Sequence, residues 1–210
     1  MDNMESKMKE DNELHEFGSC PLRSRRDYGE RTASGKEIFN QVVDKILERL
    51  SGFSYGCVYT DGSCETDMAV MDERDGRTIK VQPPLEFWRR GIGMCHDASV
   101  LVDAVLRKEG IEHRCHYISS DQPPHYPTHS FITAKGADGR IRIIDVFAVK
   151  GCIYPEAFAS YEEAAQWRFW QWLKTDNDGN DNAVMLHGSR MPSPSDFLRF
   201  SEAVVESFEE

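Results

Sequence analysis

Acyl transfer through sulfur needs a thiol that ionises easily, an imidazole to move its proton and a carboxylate to orient the imidazole. The chain supplies these in order as Cys95, His129 and Asp145. The thiolate is the attacking species, so a cysteine matters chemically where its surroundings favour the anion. Cys95 opens a helical run, where unpaired N–H groups and the positive end of the helix dipole do this. His129 would take the thiol proton and later return one to the leaving group, while Asp145 fixes the tautomer and steadies the imidazolium. The Cys95 backbone N–H is a natural donor to an oxyanion. Trp88, Tyr55 and Tyr59 are candidates for a second donor.

Two local structures must position these groups. Behind Cys95, Ala98, Leu101, Val102, Val105 and Leu106 recur with the period of an amphipathic helix, which Gly110 ends. Downstream, Thr128 to Lys135 and Arg140 to Val149 read as strands joined by Gly136-Ala137-Asp138-Gly139, a hairpin composition. His129, Phe131 and Thr133 share one strand face; Ile141, Ile143, Asp145 and Phe147 share another. If Thr133 pairs with Ile141, His129 and Asp145 are directly opposite. A two-residue change of register makes them diagonal neighbours, ~7–8 Å between backbones and still within side-chain reach. An odd register separates them.

The rest of the chain supplies the frame. Residues 1 to 34 are polar, acidic first and then basic at Arg23, Arg25, Arg26 and Arg31, and read as a loosely docked arm. Ile38, Val42, Val43, Ile46, Leu47 and Leu50 predict a helix over 35–50. Turn signals dominate 51–84, with short strands near Cys57–Thr60 and Thr78–Val81. Ile111 to Ser119 alternates as a strand, and a loop with Pro123, Pro124 and Pro127 follows. From Pro155 onward the chain reads as helical and accessory: a bulky apolar helix over Tyr161–Lys174, a polar loop over 175–194 and a last helix over 195–208.

Gly93-Met94-Cys95, Leu106-Arg107-Lys108-Glu109-Gly110-Ile111, Thr128-His129-Ser130-Phe131 and Ile143-Ile144-Asp145 together resemble the core of the transglutaminase-like superfamily of cysteine enzymes, over about residues 85 to 150. The aromatic that often follows the family's histidine is Phe131 here, with Ser130 between. The tryptophan that often precedes its aspartate is replaced by Arg142-Ile143-Ile144. His129 lies 34 residues after Cys95, whereas a papain-type protease places its histidine ~130–150 residues downstream. The resemblance implies an α+β papain-like/transglutaminase-like core, a nucleophile helix on an antiparallel sheet. It also implies chemistry through a Cys95 thioester on a protein or peptide substrate. The expected organisation is an arm over 1–34 and one catalytic domain over 35–210 with a helical C-terminal extension. Protease and glutamine deamidase lead the expected activities; a cross-linking transglutaminase and a non-catalytic module of the same fold are the alternatives.

Composition narrows the partners. With 25 Lys+Arg against 36 Asp+Glu, the net charge of -11 argues against a nucleic-acid binder. No apolar run approaches the ~18 residues of a membrane helix, and no Sec-type signal pattern opens the chain. The expectation is a cytoplasmic protein, or one exported by another route. The six cysteines show no disulfide framework. No metal or cofactor is expected. Asp176 to Asp181 lacks the glutamate an EF-hand needs at its twelfth position, where His187 stands. His113, Cys115 and His116, with His125 nearby, give no four-ligand zinc frame, because strand alternation turns His116 away from the other two. Asp97 reads as a first-turn residue favoured by the helix dipole. Nothing sets an oligomeric state.

Overall fold

The computed structural model describes residues 37–66, 78–120, 128–147, 152–175 and 183–189. The N-terminal arm, the proline loop, the Asp176–Asp181 run and the expected last helix lie outside the described residues.

The first helix, α1, spans Gln41–Leu50, later in the chain than its apolar period begins. Asn40 is the reason: it is extended, and its side chain accepts the Val43 N–H at 2.9 Å, as an N-cap does. Asp44 accepts the Ile38 and Phe39 N–H groups at 2.9 and 3.2 Å, holding the preceding chain out of the helix. Four two-residue strands follow around the next helix: β1 (Ser54–Tyr55), β2 (Cys57–Val58), β3 (Cys64–Glu65), then α2 (Pro84–Arg90) and β4 (Ile92–Gly93). β2 pairs with β3, and β1 pairs in parallel with β4, which places Tyr55 beside Gly93. The predicted Thr78–Val81 strand is reduced to a bridge between Tyr59 and Ile79.

The helix that begins at Cys95, α3, spans Cys95–Lys108 and buries Ala98, Leu101, Val102, Val105 and Leu106 as the spacing predicts. Gly110 follows at φ +66, a conformation that favours glycine. Then come β5 (His113–Ser120), β6 (Thr128–Lys135), β7 (Ile141–Ile144), α4 (Tyr161–Thr175) and β8 (Ala183–Gly188). The last four-stranded sheet is antiparallel throughout in the order β7-β6-β5-β8. β7 is shorter than expected because the chain turns at Val146 and Phe147. It then runs back beside β7, bridging Ile144 to Ile153 and Ile141 to Phe158.

β8 corrects the reading of the C-terminal segment. Ala183–Gly188 does not belong to a polar loop, and the C-terminal part is not merely accessory: this strand pairs along β5 from Cys115 to Ser120.

Each sheet face buries its own cluster. On one, Cys115, Ile132, Ala134 and Ile144 pack with α1, α2 and α3 through Val43, Leu47, Phe87, Val102 and Leu106. On the other, Ile118, Phe131, Ile141 and Ile143 pack with α4 through Tyr161, Ala164, Ala165, Trp172 and Leu173. The result is a mixed α+β arrangement in which helices cover both faces of an antiparallel sheet. Alternation assigns His129 to the α4 face and Ser130 to the α3 face. Among the described residues no helix is long and apolar enough to cross a membrane.

Candidate active site

The hairpin adopts one of the two registers that bring His129 to Asp145. Thr133 pairs with Ile143, so the two residues are diagonal neighbours. The carboxylate closes the gap, with Asp145 Oδ2 lying 2.7 Å from His129 Nε2. Main-chain bonds from both sides hold Asp145 there: its N–H donates to the Cys152 carbonyl at 2.8 Å, and the Tyr154 N–H donates to the Ile143 carbonyl at 3.1 Å.

Cys95 meets this pair from the start of α3. Its sulfur lies close enough to His129 and Ser130 for both to act on its ionisation. With Nε2 committed to Asp145, Nδ1 is the ring nitrogen left for the sulfur. The elbow before α3 is held by Asp97, whose Oδ2 accepts the Met94 N–H at 2.9 Å and whose Oδ1 accepts the Gln82 N–H at 2.7 Å. Asp97 therefore does more than complement the dipole: it ties the segment before α2 to the turn that presents Cys95. Gly93 is required in that turn. A Cβ on it would stand 2.7 Å from the Phe87 ring and 2.8 Å from Asp97 Oδ2.

A fourth charged group, missed by the sequence reading, completes the site. Arg168 of α4 donates through Nε to Asp145 Oδ2 at 2.8 Å, and its Nη2 lies 3.0 Å from His129 Nε2. It is only 3% exposed, and its guanidinium is directed at these two groups inside the site. The sequence does carry a signal for it. Tyr161, Ala164, Ala165, Arg168 and Trp172 are all buried and follow the helical stripe, and Arg168 is the one charged member.

The four groups form a chain of alternating charge. Burial opposes ionisation of Asp145, but the His129 and Arg168 cations outweigh it and hold its carboxyl below the usual range. Burial likewise opposes protonation of His129, yet Asp145 and the Cys95 sulfur raise it to about 9. At Cys95 burial favours the thiol, and His129 with Ser130 reverse that, lowering its pKa below the ordinary value. The Tyr55 hydroxyl is pushed upward, chiefly by the neighbouring Cys95 sulfur. Of the candidate second donors, Tyr55 is thus the one on which the Cys95 charge acts. The Trp88 ring lies under the Arg49 guanidinium, 3.9 Å from its centroid.

The other buried thiols differ. Burial pushes the Cys152 thiol up to about 12. No disulfide joins the described cysteines, Cys57, Cys64, Cys95, Cys115 and Cys152. His116 faces away from His113 and Cys115, stacked on Phe131 with ring centroids 4.7 Å apart. No family model, no curated protein and no solved structure matches the chain.

Proposed function

We propose that the chain is a cysteine-dependent amide hydrolase with a papain-like, transglutaminase-like arrangement, in which Cys95 is the nucleophile, His129 the acid and base, and Asp145 the orienting carboxylate. The observation that carries this reading is the placing of Cys95 beside a His129 that acts on its ionisation and is itself joined to Asp145 at 2.7 Å, with Arg168 on the same carboxylate at 2.8 Å. An isolated buried cysteine or a lone strand histidine would need no such arrangement.

The Cys95 thiolate adds to the amide carbon, forming a C–S bond while the carbonyl electrons move onto oxygen. The Cys95 N–H, one of the first-turn donors that no helix carbonyl accepts, faces that oxyanion. His129 Nδ1 gives its proton to the leaving nitrogen, the C–N bond breaks, and an amine or ammonia departs. The thioester remains. Neutral His129 then takes a proton from water, hydroxide adds, and the thiolate is expelled with a carboxylic acid as product. Asp145 keeps Nε2 protonated throughout, which leaves Nδ1 as the nitrogen that cycles. Protein or peptide amides are the substrate class, either a main-chain bond or a glutamine side chain.

Mass spectrometry of protein mixtures incubated with the wild-type chain and with Cys95→Ala tests the reading. New chain termini identify a protease, glutamine converted to glutamate a deamidase, and amine adducts a transglutaminase. Hydroxylamine should intercept the thioester as a hydroxamate. If no Cys95-dependent product or hydroxamate forms across a broad set of proteins, the chain is a non-catalytic module.

A further inference from the structure

A second set of sulfur, nitrogen and oxygen donors lies on the α3 side of the sheet, and we propose that it binds a divalent cation, zinc by preference. The donors are Asp103, His113 and Cys115, and one ligand atom from each lies within 4.8 Å of the other two. Position explains the convergence. His113 and Cys115 are two residues apart on β5 and share a face, while Asp103 comes from α3, two turns beyond Cys95. The sequence offered His113 and Cys115 but no frame for them, and the helix provides the missing ligand.

The surroundings match what metal sites require beyond the ligands themselves. A ligating imidazole is normally oriented by a hydrogen bond from its other nitrogen. His113 Nδ1 donates to the Ile111 carbonyl at 2.8 Å, which leaves Nε2 as the inward atom, 2.9 Å from Asp103 Oδ1. A ligating carboxylate is likewise held from outside, and Arg107 grips Asp103 through Nε to Oδ1 at 3.1 Å and Nη2 to Oδ2 at 2.6 Å. Asp103 and Cys115 are each 2% exposed, so the ion would be shielded from competing water. A thiolate, an imidazole and a carboxylate suit zinc, whereas magnesium and calcium prefer oxygen alone. Three protein ligands leave a fourth position for water. Binding exchanges the ion for the Cys115 thiol proton and the proton between His113 Nε2 and Asp103. An ion there would fasten the helix that carries Cys95 to the centre of the sheet.

The competing explanation is a metal-free network in which Arg107, Asp103 and His113 join α3 to β5 without an ion. To separate them, the full chain carrying Cys95→Ala is stripped with a chelator and titrated with cobalt(II), then zinc. The substitution keeps the Cys95–His129 pair from competing. The proposal expects a thiolate-to-cobalt charge-transfer band that saturates at one equivalent and is displaced by zinc. Cys115→Ser should abolish the band, and His113→Gln should weaken zinc by at least about tenfold. X-ray absorption on the zinc-loaded Cys95→Ala protein should find one sulfur among lighter ligands, and this readout stands even if the further variants do not fold. Absence of the band, its survival in folded Cys115→Ser, or a sulfur-rich shell would overturn the site.

Discussion

Replacing Asp145 by asparagine should do more than remove an orienting group, because it leaves two cations facing each other. Arg168 Nη2 and His129 Nε2 are 3.0 Å apart. At an effective dielectric constant of about 20, two unit charges at that distance repel by about 5 kcal/mol. That is equivalent to about four pKa units, more than enough to discharge an imidazolium that titrates at about 9 in the intact site. Neutral His129 can no longer balance the thiolate, so Cys95 reverts to an ordinary or weaker thiol. A thiol of pKa about 8.5 is roughly 3% ionised at pH 7, so the loss of neutral-pH reactivity on ionisation grounds is up to about thirtyfold.

The assay is the rate of Cys95 carboxamidomethylation by iodoacetamide from pH 5 to 10, read peptide by peptide. The wild-type chain should react at lower pH than an ordinary thiol, and Asp145→Asn should shift the rise upward. Peptides holding the buried Cys57, Cys115 and Cys152 report folding in the same experiment, since an unfolded variant would label them all. The sharper test adds Arg168→Met to Asp145→Asn: with the cation clash gone, part of the neutral-pH reactivity should return. Wild-type reactivity in Asp145→Asn, or no recovery in the double variant, would refute the charge-chain reasoning.

Gly93→Ala should cost about 1–3 kcal/mol in chemical denaturation through overpacking against Phe87 and Asp97. It should also slow Cys95 alkylation by displacing the elbow; an unchanged midpoint and rate would show that the turn tolerates a side chain. His116 is depressed to about 3 by burial and the nearby His187. The unfolded chain therefore binds a proton there that the folded chain refuses, and stability falls as pH drops from about 6.5 toward 3, by up to about 5 kcal/mol. His116→Asn should flatten that acid limb in urea titrations, and an unaltered slope would assign the acid sensitivity elsewhere.

The parts of this site that rest on local period are legible in the chain. The α3 stripe and the alternation of β6 place Cys95 and His129 on defined faces. The period of two restricts the hairpin to even registers if Asp145 is to be reached. What stays hidden depends on contacts distant in sequence. Arg168 is the charged member of an apolar stripe, and its meaning appears only when α4 lies over the end of β7. Ser130 shows nothing in sequence that distinguishes it from any strand serine. β8 follows an Asp/Asn-rich run whose turn composition masks the short alternation of Ala183, Met185 and His187. The β1–β4 pairing involves two residues from each strand, too few to leave a pattern.

Because its terminal cation is borne by α4, the reactive centre is assembled late. A ribosome will have released Cys95, His129 and Asp145 well before Arg168 and the helix around it can fold down. Until then the line of partners is incomplete: Asp145 lacks its Arg168 partner, and the imidazole is not yet held against the sulfur. In a nascent or partly opened chain Cys95 therefore titrates closer to an ordinary thiol, and its thiolate fraction at neutral pH is smaller than in the folded site. Docking of a single amphipathic helix is the step that completes the line.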